Sequence, residues 1–160
     1  MQFDVKSYHA SSSSNATLNP VRLKSVTVTS GSVSARNMAV TDPTVFKTGT
    51  WSRAGTTVTV TINNNGVANG QRVFLDVAPG TTMRDGVYEV ANAATNTFTV
   101  TSGTSGTASG TVTMYTNIYV EVDSYNTVGL PIMIPGDGIN CPNGIYVGLG
   151  SSVTATVTYG

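Results

Sequence analysis

The chain has 160 residues, with eight basic and eight acidic side chains, one histidine and one cysteine. Zero net charge without a basic run leaves no electrostatic footprint for nucleic acid. A single thiol, Cys141, excludes an internal disulfide and any multi-thiol metal site.

No stretch approaches the about 20 apolar residues of a membrane span. The first residues, MQFDVKSYHASSSS, lack the apolar core of a signal peptide. The chain is therefore expected to be made in a reducing cytoplasm.

In chain order, the first expected strand lies near 2–8. Ser11 to Asn19 (SSSSNATLN) follows as a flexible polar loop. Alternatively it leaves Met1–Ala10 as an arm that adds a strand to a neighbouring subunit. Strands follow near 20–29 and 37–41. Between Leu23 and Val26 the apolar alternation changes phase, which predicts a bulge or a strand crossing between sheets.

From Thr48 to Thr116 the pattern reads as a complete small module. It opens with Thr-Val-Thr-Val-Thr-Ile and closes with Gly-Thr-Val-Thr-Met-Tyr. Strands are expected near 56–62, 71–77, 86–91, 96–102 and 110–115, with SGTSGTASG (102–110) as a loop. After the module come strands near 117–123, 130–134, 144–149 and 152–159. Val58, Val60 and Ile62 alternate with Thr57, Thr59 and Thr61, and Val153, Ala155 and Val157 with Thr154, Thr156 and Thr158. One apolar and one threonine-coated face indicate antiparallel sheets with a solvated side.

The fold class is all-β. Residues 1–47 and 117–160 form a discontinuous antiparallel β-sandwich or jelly-roll-like host, and 48–116 an inserted small antiparallel β-barrel or sandwich. The flanks carry opposite charge: five bases against two acids before the module, and three acids with no base after it. That contrast favours their packing together.

No catalytic constellation emerges. His9, the only imidazole, sits in the polar N-terminal segment, remote from any carboxylate that would orient it. Glu121 and Asp123 share a strand face with Tyr119, which reads as a solvated face rather than a glycosidase pair. Asp137 in PGDGI lacks the neighbouring carboxylates of a calcium loop. It reads as a turn residue capping local N–H groups, with Gly136, Gly138 and Gly144 at positive φ. No helix follows Gly148–Gly150, so phosphate binding has no basis there. Trp51, with Phe46 and Tyr115, reads as a wedge at the host–module junction, or as an exposed anchor for a partner or a sugar ring. Tyr119, Tyr125, Tyr146 and Tyr159 are candidates for an oligomer interface.

The run TVTVTINNNGVANGQRVFLDV, with DGVYEV, NTFTVT and SGTVTMY, resembles a small β module that recurs in tailed-bacteriophage virion proteins. The flanks, VRLKSVTVTSG and LPIMIPGDGINCPNGIYVGLGSSVTATVTYG, resemble compact β proteins encoded among structural genes of marine phages. The resemblance spans the chain from about Val21 onward and brings no active-site residues, so no catalytic, cofactor or metal residue is assigned. It implies a non-enzymatic virion protein: a capsid decoration, cement or knob protein. The expected form is a homo-oligomer, a trimer or a monomer ordered on the particle, bound to proteins such as the major capsid protein. A tail, collar or fibre component is the alternative. From another class comes a carbohydrate-binding β-sandwich contacting the host cell through Trp51 and nearby tyrosines.

Overall fold

A computed structural model describes residues 5–30, 36–77, 83–124 and 129–160. The β-branched alternation becomes strands β1 (Lys6–Ala10), β2 (Ser14–Thr17), β3 (Val21–Ser30), β4 (Arg36–Thr41), β5 (Phe46–Thr61), β6 (Arg72–Val77) and β7 (Gly86–Glu89). They continue with β8 (Thr97–Tyr115), β9 (Ile118–Ser124), β10 (Leu130–Met133), β11 (Ile139–Cys141), β12 (Ile145–Leu149) and β13 (Val153–Tyr159). There is no helix among the described residues. Contacts divide the chain into two compact units, Met1–Thr44 with Ile118–Gly160, and Val45–Asn117.

In the first unit, one sheet runs β1-β13-β3-β10, with β11 also pairing β3, and a second runs β2-β12-β4-β9. Counting the eight principal strands in chain order, these are 1-8-3-6 and 2-7-4-5. That is the strand order of a jelly roll, in which the chain passes back and forth between two sheets. Leu23, Val26 and Val28 from one sheet and Met38, Val40, Ile145 and Val147 from the other fill the core between them. Strands β4 and β9 pair directly, with Thr41 opposite Ile118, so the second unit occupies the connection of a single hairpin.

The phase change in β3 is a bulge. Thr158 pairs with Ser25 and Tyr159 with Leu23, leaving Lys24 as the extra residue. One inserted residue turns every later side chain to the other face. Leu23 and Val26 can therefore both be buried.

The N-terminal expectations need correction. Lys6–Ala10 pairs with Tyr159–Ala155 of its own chain, so these residues are not an arm for a neighbour. Ser14–Thr17 is a strand against β12 rather than a flexible loop. Leu149 N–H donates to Ser13 Oγ at 3.0 Å, and Tyr159 OH to the Ala16 carbonyl at 3.3 Å. Serine and asparagine have poor strand propensity, and the neighbours supply what the local sequence does not. Residues 2–4 of the expected first strand lie outside the described residues.

The second unit is one sheet, β5-β8-β6-β7. Its spine is a long hairpin in which β5 and β8 pair from Phe46 with Tyr115 to Thr61 with Thr97, slipping register between Gly55 and Thr57. The expected loop SGTSGTASG is thus strand, and the expected strands 96–102 and 110–115 are one element. Gly55, at φ +66°, sits at the slip. Beyond it the hairpin curls back on itself. A Cβ on Gly49 would lie 2.2 Å from the Thr61 carbonyl oxygen, so β5 crosses near its own start with no room for a side chain. No sheet closes among the described residues, so the barrel form expected for the module gives way to an open, curled sheet. Trp51, Val58, Val60, Val73, Leu75, Phe98 and Met114 fill the curl.

Candidate functional site

Two polar centres stand out, one in each unit. In the jelly roll, Asp42 follows β4 and is 2% exposed. Its Oδ1 accepts hydrogen bonds from Thr44 N–H at 2.9 Å and Thr44 Oγ1 at 2.7 Å. Its Oδ2 accepts from Tyr119 OH at 3.2 Å and Asn143 Nδ2 at 2.8 Å. The carboxylate thereby ties the start of one connection to β9 and to the β11–β12 turn. Burial alone would push its pKa up, but the hydrogen bonds from Asn143, Thr44 and Tyr119 outweigh it and hold the carboxyl below its ordinary value of 3.8. Burial, and then the Asp42 charge, push the Tyr119 phenol up.

Cys141 is fully buried. Burial pushes its thiol up, and Asp42 adds to this against a hydrogen bond from the Leu23 backbone. A protonated thiol and phenol beside a firmly ionised carboxylate make a clamp, with no activated nucleophile.

In the module, a groove of about 450 Å³ is lined by Thr48, Gly49, Asp76, Val77, Thr111, Val112 and Thr113. Nearby, Asp85 Oδ1 accepts from Val77 N–H at 2.7 Å. Burial, with the Asp76 charge adding, pushes the Asp85 carboxyl up to about 6, the hydrogen bond notwithstanding. Arg53, 4% exposed, donates from Nη1 to Ser102 Oγ at 3.2 Å and to Thr104 O at 3.2 Å and Oγ1 at 3.0 Å.

The residues weighed from sequence are scattered. His9 lies on β1, its Nδ1 3.1 Å from Thr156 Oγ1. Asp123 is exposed and Glu121 half-buried on β9. Asp137 holds its turn through its carbonyl, which accepts from Lys24 Nζ at 2.8 Å, while its carboxylate caps nothing among the described residues. Gly136, Gly138 and Gly144 do adopt positive φ. Gly148–Gly150 closes β12.

Trp51 is 2% exposed in the module core, so it is neither junction wedge nor exposed anchor. Its indole packs on the same face as Val58 and Met114 because Trp51 falls on the apolar phase of β5. Tyr146 and Tyr159 are buried within the jelly roll, whereas Tyr119 is half-buried with its hydroxyl on Asp42. Tyr125 lies outside the described residues.

Asp42 and Asp76 were not singled out from sequence. Asp42-Pro43-Thr44 carries the signature of a side chain turning back onto the backbone two residues on. Asp76 shares its phase of Val-Phe-Leu-Asp-Val with the buried Phe74, so the run shows no polar face. No family model, no curated protein and no solved structure matches the chain.

Proposed function

We propose that the chain is a non-enzymatic structural protein of a bacteriophage virion, acting as a decoration, cement or knob protein on the capsid. The observation that carries this reading is a jelly roll holding a whole second module within one hairpin connection. Jelly rolls recur in viral capsid proteins, and additions in surface connections extend such a scaffold without disturbing its core.

The solvent faces suit a crowded particle. Thr154 pairs with Thr29 and Thr156 with Thr27, which coats the middle of one sheet's outer face with neutral hydroxyls. Pro131 in β10 blunts the edge of that sheet against unplanned strand pairing. In this reading the chain assembles as a homo-oligomer, a trimer in the simplest form, and docks on the major capsid protein after synthesis in the host cytoplasm.

Particles separated into heads and tails, with the chain counted by quantitative mass spectrometry, test the proposal. Recovery with heads in proportion to capsomers supports it. Recovery with tails alone would place the chain among tail, collar or fibre parts, and absence from particles would remove the virion reading.

A further inference from the structure

Cross-strand register fixes which side chains of the module share a face. Thr48 pairs with Thr113, Thr113 with Asp76, and Thr50 with Thr111. One step along, Phe46 pairs with Tyr115 and Tyr115 with Phe74. Direct partners, and residues two apart on a strand, point the same way. Phe46, Thr48, Thr50, Thr111, Thr113 and Asp76 therefore stand on one side of the sheet.

The groove runs along this side, with the strand backbone at Gly49, Val77 and Val112 as its floor. Val77 and Val112 send their side chains through to the core behind it. On the same side of the sheet, two residues before Thr48, Phe46 is 50% exposed and its ring packs on Tyr115, ring centroids 5.9 Å apart.

We propose that this groove binds a neutral saccharide, one pyranose face laid on Phe46 and its hydroxyls shared among Asp76, Thr48, Thr111 and Thr113. The chemistry is matched on both sides. A carboxylate offers about four lone-pair sites, and each threonine hydroxyl both donates and accepts, which suits adjacent sugar hydroxyls that do the same. The apolar C–H face of a pyranose fits an aromatic ring with one face open. The volume lies in the usual range for small-ligand sites, roughly 300–1,000 Å³.

Charge selects within the class. Asp76 is the charged residue lining the groove and Asp85 lies close enough to feel it, so a sialic or uronic acid would meet repulsion. A metal ion is a poorer fit, since no group of three or more ligating side chains is found among the described residues. The proposal is independent of the virion reading and of Trp51.

The test uses the full-length protein on an array of neutral and sialylated glycans. NMR titration of the labelled protein with maltotriose, mannotriose and N-acetyllactosamine follows. The expected result is binding of a neutral glycan, with amide shifts concentrated at Thr48, Asp76, Thr111 and Thr113. Asp76→Ala and Phe46→Ala should each weaken it about tenfold, the loss of one charge-assisted hydrogen bond or one aromatic contact. Thr27→Val, on the jelly roll, should bind as the parent does.

Failure of the folded protein to bind any neutral glycan, shifts confined to other surfaces, unchanged affinity in both variants, or preference for sialylated glycans would each overturn the proposal. If Asp76→Ala does not fold, Thr113→Val and the shift map of the parent protein decide.

Discussion

Single residues carry several of the geometric constraints, and two glycines carry the sharpest. A Cβ at Gly49 would sit 2.2 Å from the Thr61 carbonyl oxygen and 2.6 Å from Ile62 Cγ1. Gly144 combines φ +99° with a Cβ position 2.2 Å from the Thr17 carbonyl oxygen. In both cases backbone must move, so Gly49→Ala and Gly144→Val should each cost about 2 kcal/mol or more. Denaturant melts read by probes in each unit should place the first loss in the module and the second in the jelly roll. A loss under half that size would show that the strands part easily.

Asp85 gives a residue-scale pH dependence of unusual sign. Its carboxyl is raised to about 6 in the folded chain from an ordinary 3.8, so the folded state holds the proton more tightly. The module should be most stable below about pH 4 and lose stability as pH rises through about 6, by at most about 3 kcal/mol. Asp42 works in the other direction. Its carboxyl is lowered, so its contribution is present above 3.8 and lost as pH falls below that. Asp85→Asn keeps an oxygen for Val77 N–H while removing the charge. Unfolding between pH 4 and 7 should show a variant more stable than the parent near neutrality and without the slope. Equal slopes in both proteins would exclude Asp85 as the cause.

At the scale of elements, what the sequence disclosed was the part written in side-chain alternation. Val153–Tyr159 and Thr57–Thr61 declare their apolar and threonine faces, and the Lys24 bulge shows as a phase slip. The stretch from Ser102 to Gly110 declares nothing, because glycine and serine have no face to alternate. Its strand character comes from the partner strand and from Arg53, whose guanidinium gathers Ser102 and Thr104. Ser14–Thr17 is hidden for the same reason. The groove was equally illegible, since Asp76 joins Thr48 and Thr113 only through the register of three strands distant in sequence. Arg53→Met should therefore accelerate hydrogen exchange from 102 to 107 while leaving exchange at Thr97–Val100 near the parent rate. The buried Ser102 hydroxyl would lose the guanidinium and keep Thr104 N–H, at a cost of about 1 kcal/mol. Uniform acceleration along β8 would mean that Arg53 supports the whole sheet.

At the scale of the whole molecule, the jelly roll has its own means of closing without the module. Thr41 and Ile118 are cross-strand partners in β4 and β9, so the chain leaves and re-enters this unit within one hairpin. Asp42 then holds Thr44, Tyr119 and Asn143 together, all inside the same unit. The module closes its own ends likewise, with Phe46 opposite Tyr115. Paired backbones lie about 5 Å apart, so each junction can be spanned by a short turn at little cost in loop entropy. Replacing residues 46–116 by a two- or three-residue turn, with Thr44 retained, should leave a jelly roll that unfolds cooperatively. Its amide spectrum should overlay the parent's on β3, β12 and β13. The excised 45–117 should likewise keep the dispersed spectrum of a folded sheet. A deletion chain that is molten, or whose core resonances collapse, would show that the two units fold only together.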